Sequence, residues 1–399
     1  MSKKNTLIAL MLATGALTAS ADSFTLKDVD LHFSICVDAG LTVTLTDDAG
    51  QQISYVSDGK FFENYEGDAQ PKLEATKTLT VTTDGYIRNL YLENTGASDF
   101  SIGALPRLEV LNLSGCKMAE LNLSKVSTLQ TLIVNHCKNI QHLDLPKLTK
   151  LRKFHATGTR IEDVSFATTS LTDCWMDDCR LSGTLDLSKQ NHLRSFNVGY
   201  NFFSRLEHVL LANSATAKAS LEYATLSHNH LFFDSFPTVY DKTAQQYTVQ
   251  ACFDNMLPFH YVDYLEPGVQ YDLSDLIRYN AWGAAIGPKV EIYRMTKPGV
   301  YTRNAENLLV EGTDYTKVGS YKYTFVTEQP RVFISVSSDL YPDLTLITEP
   351  FGITSDPAGI STVLRDTDTA APAYDLQGRP EAGNRNGIRI QNGKVVISK

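Results

Sequence analysis

The sequence predicts a mainly β protein, with a repeat solenoid between a small β-rich N-terminal cap and a C-terminal β-sandwich. About seven copies of one nine-residue pattern recur at intervals of 20–28 residues within residues 86–236. Apolar and polar residues alternate through residues 22–85, and short apolar stretches separated by Pro, Gly and Asp occupy residues 237–352. Regular repeats indicate a solenoid, and short alternating stretches without helical periodicity indicate strands.

Each copy of the repeat starts with leucine or isoleucine and has further inward-facing residues, mostly apolar, at its fourth and sixth positions. The copies start at residues 87, 108, 129, 151, 171, 193 and 221 and read IRNLYLENT, LEVLNLSGC, LQTLIVNHC, LRKFHATGT, LTDCWMDDC, LRSFNVGYN and LEYATLSHN. Because this is the pattern L-x-x-L-x-L-x-x-N/C, the segment resembles a leucine-rich repeat solenoid. A second apolar pair between copies predicts two short extended stretches per turn, which only stacked turns can bury.

The ninth position of the repeat predicts a buried ladder of polar side chains. An inward Asn or thiol can satisfy backbone groups that would otherwise be buried without a partner. We expect this role for Cys116, Cys137, Cys179, Asn201 and Asn229. A disulfide between Cys116 and Cys137 is an alternative. No metal site is predicted, because Cys174 and Cys179 do not have a zinc-ligand spacing such as C-x₂-C.

The third, fifth and seventh positions should face solvent on the concave sheet, because side chains alternate along a strand. Repeats four and five then bring aromatic and charged side chains together on neighbouring strands, about 5 Å apart. Exposed aromatic residues beside charges are typical of interface anchors. The predicted partner-binding residues are Tyr91, Ile133, Lys153, His155, Asp173, Trp175, Asp177, Asp178 and Tyr200.

Two other interpretations of this surface stay open. Single exposed aromatic residues are common on protein surfaces that bind nothing. Asp173, Asp177 and Asp178 also suggest calcium, although that ion takes six or more oxygen ligands.

Residues 1–21 are predicted to be a secretory signal peptide. Two early lysines, an apolar run at residues 6–18 and a final Ala-Ser-Ala form the expected three regions. The run is shorter than the roughly 20 apolar residues of a membrane helix, so we expect no transmembrane segment in a mature chain starting at Asp22. The formal charge of −9 becomes more negative when the lysines are removed, which argues against nucleic-acid binding.

The predicted sandwich contains the stretches YTVQACF, KVEIYRM, YKYTFV, RVFISVSS and LTLITEPFGI. It resembles the immunoglobulin-like modules that follow leucine-rich repeats in secreted bacterial proteins. Only Cys252 lies inside it, so the disulfide between the two sheets of antibody domains is absent.

Residues 353–372 are a predicted polar linker, and residues 373–399 are a predicted separate tail. The tail reads AYDLQGRPEAGNRNGIRIQNGKVVISK. Its Y-D-L-x-G-R and G-I-x-I-x-N-G-K segments resemble the C-terminal tails of exported Bacteroidetes proteins, although Arg389 replaces the aromatic residue usual in that group. The resemblance implies type IX secretion and attachment to the outer-membrane surface of a Gram-negative bacterium. A terminal β-hairpin packed on the sandwich is the alternative.

The sequence predicts no catalytic residue and no cofactor. It contains no G-x-S-x-G, H-E-x-x-H, G-x-x-x-x-G-K-[ST] or G-x-G-x-x-G motif. The favoured hypothesis is a non-enzymatic secreted or cell-surface protein, active in adhesion or interaction, whose concave sheet recognises a protein or peptide. Asp173 and Asp177 would select a basic partner. The alternatives are a surface glycan-binding protein and a hydrolase with an unrecognised site.

Overall fold

The computed structural model describes residues 22–30, 33–63, 73, 77–143, 145, 148–162, 164, 166, 171–188, 190, 192–207, 222–236, 240–241, 243–247, 250–253, 255–280 and 283–356. In the tail it describes the strand backbone at 373–374, 380–381, 387–391 and 394–398. The predicted signal peptide and residues 357–372 of the predicted linker lie outside the described residues.

The N-terminal region is a small antiparallel sheet joined to the start of the solenoid. Its strands are β1 Asp22–Lys27, β2 Ser34–Val37, β3 Thr42–Thr46, β4 Gln52–Val56, β5 Phe62–Glu63, β6 Thr78–Thr83, β7 Asn89–Tyr91 and β8 Asp99–Ala104. Five of them form a sheet in the order β4-β3-β6-β1-β8. β8 belongs to the first repeat, so the cap and the solenoid share this sheet. The sheet of the cap therefore extends past the predicted boundary at residue 85.

The next strands belong to the repeats. They are β9 Val110–Asn112, β10 Thr131–Ile133, β11 Lys153–His155, β12 Asp173–Trp175, β13 Ser182–Asp186, β14 Ser195–Asn197, β15 Phe202–Glu207, β16 Tyr223–Thr225, β17 Tyr240–Asp241, β18 Gln246–Tyr247 and β19 Gln250–Cys252. A 3₁₀ helix, Phe233–Ser235, follows β16.

One strand from each repeat enters a continuous parallel sheet, here called the solenoid sheet. Its strands are β7, β9, β10, β11, β12, β14, β16 and β19, and β2 and β5 extend it at the β7 end. In all seven predicted repeats the strand covers the third to fifth positions, in register with its neighbours. The structure therefore confirms the leucine-rich repeat solenoid. Its eighth strand, β19, lies beyond the predicted end at residue 236.

The opposite side of the coil is less regular than the sequence predicts. A parallel strand pair, β13 and β15, forms there between repeats five and six. In the described residues of repeats two and three the chain forms successive tight turns instead, such as the Val126 N–H to Leu123 carbonyl bond of 3.1 Å. The apolar pairs predicted on this side are still directed inward, since Leu121, Leu123 and Leu145 are buried.

The core runs through the inside of the coil. Fourth-position side chains are at most 2% exposed, and they are Leu90, Leu111, Leu132, Phe154, Cys174, Phe196 and Ala224. Removing a leucine or phenylalanine side chain from water stabilises a fold by about 1.5–3 kcal/mol. Stacking is what buries these side chains, because a single turn exposes both of its ends.

The eighth position has a left-handed backbone in every repeat. Its φ values lie between +51° and +75°, at Asn94, Gly115, His136, Gly158, Asp178, Tyr200, His228 and Asn255. This conformation suits glycine and is tolerated by Asn, Asp and His, whereas for tyrosine it is unusual. The same value at Asn255 marks residues 248–256 as an eighth copy of the repeat.

Ninth-position side chains bond to the carbonyl of the sixth position in the preceding repeat. The Sγ atoms of Cys116, Cys137 and Cys179 donate to the carbonyls of Leu92, Leu113 and Ala156, at 3.3, 3.0 and 3.0 Å. Asn201 and Asn229 donate through Nδ2 to the carbonyls of Met176 and Val198, at 2.7 and 2.8 Å. All six cysteines are thiols, so no disulfide joins Cys116 and Cys137.

We expect these thiols to differ sharply in reactivity. Cys252 is exposed, whereas the other five cysteines are buried. Burial raises the pKa of the Cys137 thiol to about 12, which leaves little thiolate at neutral pH. Counting with a thiol reagent should find one fast thiol in the native protein, and Cys252→Ser should remove it. The other five, at Cys36, Cys116, Cys137, Cys174 and Cys179, should appear only in denaturant. A fast thiol at Cys116, Cys137 or Cys179 in the native protein would contradict the ladder.

The C-terminal region contains two further sheets and a short helix. Its elements are β20 Tyr264–Leu265, β21 Gln270–Asp272, α1 Ser274–Ile277, β22 Pro288–Arg294, β23 Tyr315–Val318, β24 Lys322–Phe325, β25 Gln329–Ser338, β26 Tyr341–Ile347 and β27 Phe351–Ile353. One sheet has the order β20-β27-β25-β22, with β26 also paired to β25, and the other has the order β21-β24-β23. In the tail, β28 Ala373–Tyr374, β29 Pro380–Glu381, β30 Gly387–Gln391 and β31 Lys394–Ser398 form a four-stranded sheet.

The C-terminal sheets pack directly against the last repeats. Leu257 N–H donates to the carbonyl of Asn229 at 2.8 Å, and Phe259 N–H donates to that of Ile347 at 3.0 Å. The Tyr341 ring lies 6.0 Å from Phe236 and 6.4 Å from Phe253. The chain therefore passes from the eighth repeat into the C-terminal sheet within a few residues.

Candidate functional site

The parallel register brings side chains of repeats four to seven onto one surface of the solenoid sheet. His155, Trp175, Asn197 and Thr225 occupy the fifth position on four successive strands. Trp175 is 37% exposed, although Cys174 and Met176 on either side of it are buried. A large aromatic side chain is thus held at the surface of a rigid sheet.

Three neighbours fix the indole of Trp175. Its Nε1–H donates to the Ser195 hydroxyl at 2.7 Å. The His155 ring stacks on it, with centroids 4.8 Å apart and planes 12° from parallel. Tyr223, from a later strand, lies 6.2 Å away at 40°. These four residues, His155, Trp175, Ser195 and Tyr223, are called the Trp175 cluster.

His155 is neutral at physiological pH. Burial lowers its pKa, which outweighs the opposing effect of Asp173 and Asp177. Its Nε2 is buried and has no hydrogen-bond partner among the described residues. The neutral imidazole stacks on the indole without the cost of burying a charge.

The lowered pKa of His155 predicts a pH dependence of folding stability. The unfolded chain binds this proton near pH 6.5, before the folded protein does. The contribution of this residue to stability is therefore fully present above about pH 6.5 and declines as the pH falls toward the folded pKa. The free energy of unfolding in urea should change less between pH 7.5 and pH 5.0 for His155→Gln than for the wild type. An equal change in both proteins would mean that His155 does not contribute to the pH dependence of stability.

Two aspartates beside Trp175 are held in place by neutral side chains. Asp177 Oδ1 accepts hydrogen bonds from Thr157 Oγ1 at 2.7 Å and Asn197 Nδ2 at 3.0 Å. Asp173 Oδ2 accepts one from Thr172 Oγ1 at 2.7 Å. Within the described part of the chain neither carboxylate forms an ion pair within 4.0 Å. Both carboxylates are thus positioned without a direct ion-pair partner.

The other predicted residues near the cluster form its border. Lys153 is exposed on β11, and Ile133 is half-buried on the next strand toward the N-terminus. Asp178 and Tyr200 lie at the eighth position, where the sheet ends. Tyr200 is 59% exposed and stacks on His228, with centroids 4.0 Å apart and planes at 14°.

Tyr91 does not join this group. It lies on β7, four strands from Trp175, and its ring contacts Phe61 at 6.4 Å. The predicted set therefore divides into two places on the same sheet. Sequence reasoning missed Ser195 and Tyr223, although both occupy the third position, which also faces outward. It also missed Phe61, which lies outside the repeats and carries no periodic signal.

Neither a metal centre nor a membrane helix is found in the described ranges. No group of three or more His, Cys, Asp or Glu side chains converges there in a way that could hold a metal ion, and this includes the three aspartates of repeat five. No helix among the described residues has the length and apolar character needed to cross a bilayer.

Comparisons with known proteins concern the fold. No protein-family model matches the chain, and no curated protein matches it. Among solved structures it is similar to the functional domain of InlJ from Listeria monocytogenes, a structure described as including a cysteine ladder. The TM-score is 0.40 at 15% sequence identity, and the match covers 62% of this chain and 49% of that one. The matched region thus spans about half the length of the InlJ domain.

Proposed function

We propose that this chain is a non-enzymatic binding protein, and that the Trp175 cluster anchors a protein or peptide partner on the solenoid sheet. The observation that carries the proposal is an exposed tryptophan, held by Ser195 and His155, next to positioned carboxylates without ion pairs. Tryptophan is among the residues that contribute most to binding free energy at protein interfaces. A rigid sheet loses little conformational entropy on binding, which favours affinity.

The arrangement of the rings favours a protein over a glycan. Aromatic residues that bind sugars offer an open ring face. Here His155 covers one face of the indole, and Tyr223 lies close on the side of the later strands. The indole therefore contacts a partner mainly through its edge, as a packed hydrophobic anchor does.

The carboxylates favour a basic partner. Asp173 and Asp177 lie beside the anchor, and neither forms an ion pair within 4.0 Å with a Lys or Arg among the described residues. Their hydrogen bonds to neutral donors hold them without cancelling their charge. Lys or Arg side chains on a partner would supply the missing charge and would favour correct encounters.

We place the protein outside the cell, on the outer-membrane surface of a Gram-negative bacterium or in its surroundings. The predicted signal peptide of residues 1–21 and the resemblance of residues 373–399 to sorting tails support this proposal. The C-terminal sheets would then act as an immunoglobulin-like module between the solenoid and the tail, with residues 353–372 as linker.

Trp175→Ala should abolish or strongly weaken partner capture. We expect a loss of about 2 kcal/mol or more of binding free energy, or about 30-fold in Kd, because truncation of an anchor removes its contact area. The measurement is affinity capture from host and bacterial extracts by the chain from Asp22, followed by titration of the purified partner. Tyr264→Ala is the matched control, since that tyrosine is 39% exposed on β20, outside the solenoid sheet.

Three outcomes would contradict the proposal. A partner bound equally by the wild type and Trp175→Ala would place binding elsewhere. A glycan-array signal lost in Trp175→Ala, without any protein partner, would favour a glycan-binding protein instead. Turnover of a polymeric substrate would show an enzyme.

A further inference from the structure

A second aromatic pair, with one ring exposed and the other half-buried, lies toward the other end of the solenoid sheet. Phe61, from the N-terminal cap, is 42% exposed and contacts Tyr91 edge to face, with ring centroids 6.4 Å apart at 65°. Cys36 pairs with Tyr91 across β2 and β7, and its thiol donates to the Gly59 carbonyl at 3.4 Å. This bond holds the segment that carries Phe61 against the sheet. Phe61 and Tyr91 are called the Tyr91 cluster.

The Tyr91 cluster has positioned carboxylates, as the Trp175 cluster does. Glu93 lies two residues after Tyr91, and its Oε1 accepts a hydrogen bond from Asn112 Nδ2 at 2.6 Å. Asp38 Oδ2 accepts the backbone N–H of Arg88 at 2.6 Å and that of Asn89 at 2.9 Å. Neither carboxylate forms an ion pair within 4.0 Å among the residues that the structure describes. An exposed aromatic group beside fixed negative charge thus occurs twice on one sheet.

The two clusters are separated by a fixed distance. Tyr91 and Trp175 both occupy the fifth position, and four strand-to-strand intervals lie between them. Neighbouring strands are about 4.8 Å apart, so the separation is about 19 Å. About six residues of extended chain, or about 13 residues of helix, cover that distance.

We propose that one polypeptide segment of the partner lies along this row and contacts both clusters, with a basic and an apolar side chain near each. The inference rests on the proposed function and adds the length and the pattern of the segment. Two modest contacts on one rigid surface reinforce each other, because the first raises the effective concentration of the second.

The test uses a phage-displayed library of random 16-residue peptides, selected on the chain from Asp22 to Lys399. A peptide of 16 residues is long enough to reach both clusters, whether extended or helical. Enriched peptides are then titrated against the wild type, Trp175→Ala, Phe61→Ala and the control Tyr264→Ala. Tyr91→Ala serves as a second variant at the N-terminal cluster, and circular dichroism verifies that each variant is folded.

We expect each cluster variant to weaken an enriched peptide by tenfold or more, while Tyr264→Ala stays within twofold of the wild type. Each half of an enriched peptide, titrated alone, should be weakened by the variants of one cluster only. The spacing of the basic residues in the whole peptide should distinguish an extended from a helical segment. Peptides that need Trp175 but bind Phe61→Ala and Tyr91→Ala like the wild type would overturn this inference and leave the proposed function intact. Peptides indifferent to Trp175→Ala, or no enrichment at all, would overturn both.

Discussion

Asn201→Ala should lower the free energy of unfolding by about 3–5 kcal/mol, because it removes the partner of several buried backbone groups at once. Asn201 is 1% exposed. Its Oδ1 accepts the N–H groups of Cys179 and Leu181 at 3.1 and 3.0 Å. Its Nδ2 donates to the carbonyls of Met176, Val198 and Gly199 at 2.7, 3.0 and 3.2 Å. The Val198 carbonyl keeps its bond from Asn229 and the Gly199 carbonyl keeps its bond from the Asp178 N–H, so three groups lose their partner, each at a cost of about 1–3 kcal/mol.

Urea unfolding followed by circular dichroism measures this loss. Asn139→Ala is the matched control, because Asn139 is exposed and donates one bond to the Lys117 carbonyl, so less than about 1 kcal/mol should be lost. Asn201→Cys should fall between the two, since a thiol can donate to Met176 but accepts poorly from the two N–H groups. A loss below about 1 kcal/mol in Asn201→Ala would show that the ladder contributes little to stability.

Tyr341→Ala should cost about 3–5 kcal/mol and weaken the coupling between the solenoid and the C-terminal sheets. The side chain is fully buried between Phe233, Phe236 and Phe253, so truncation leaves a cavity that the surroundings fill only in part. Its hydroxyl also bridges the two regions. It accepts from Asn280 Nδ2 at 2.9 Å and donates to the Phe236 carbonyl at 3.2 Å.

Unfolding and hydrogen exchange together test this junction. Tyr341→Phe should cost only about 1–2 kcal/mol, because it removes the hydroxyl and keeps the packing. In Tyr341→Ala the amides of Leu257 and Phe259, which bond across the junction, should exchange faster than those of β10 or β11. Tyr264→Ala is again the exposed control. Unchanged exchange at both junction amides would mean that the two regions do not depend on this tyrosine.

The solenoid could be predicted because each of its strands repeats one local pattern. Leu111, Leu132 and Phe154 recur at the same position, and burial of that position requires stacking whatever else the chain does. The end of the solenoid was harder to predict. The eighth copy reads TVQACFDNM and has Thr248 where the others have leucine or isoleucine, so its strand resembles the short strands that follow. Its pairing with β16 and the left-handed backbone of Asn255 distinguish the two assignments.

The candidate site was predictable in part for the same reason. The register placed His155 beside Trp175 and Asp173 beside Lys153, and the structure has both pairs. Sequence alone could not give the orientation of the indole, because that depends on the Ser195 hydroxyl from another repeat. Nor could it place Phe61, which reaches Tyr91 through tertiary packing of the cap.

The left-handed eighth position has a consequence for how this protein has evolved. Glycine adopts that backbone freely, whereas other residues lose roughly 1–2 kcal/mol, and Asn, Asp and His tolerate it best. Selection for stability alone would therefore fill the position with glycine or asparagine, as at Gly115, Gly158 and Asn255. Tyr200 keeps the strained backbone with a large exposed ring. If related sequences retain an aromatic residue at this position, that would indicate selection for binding at this edge of the sheet rather than for stability of the fold.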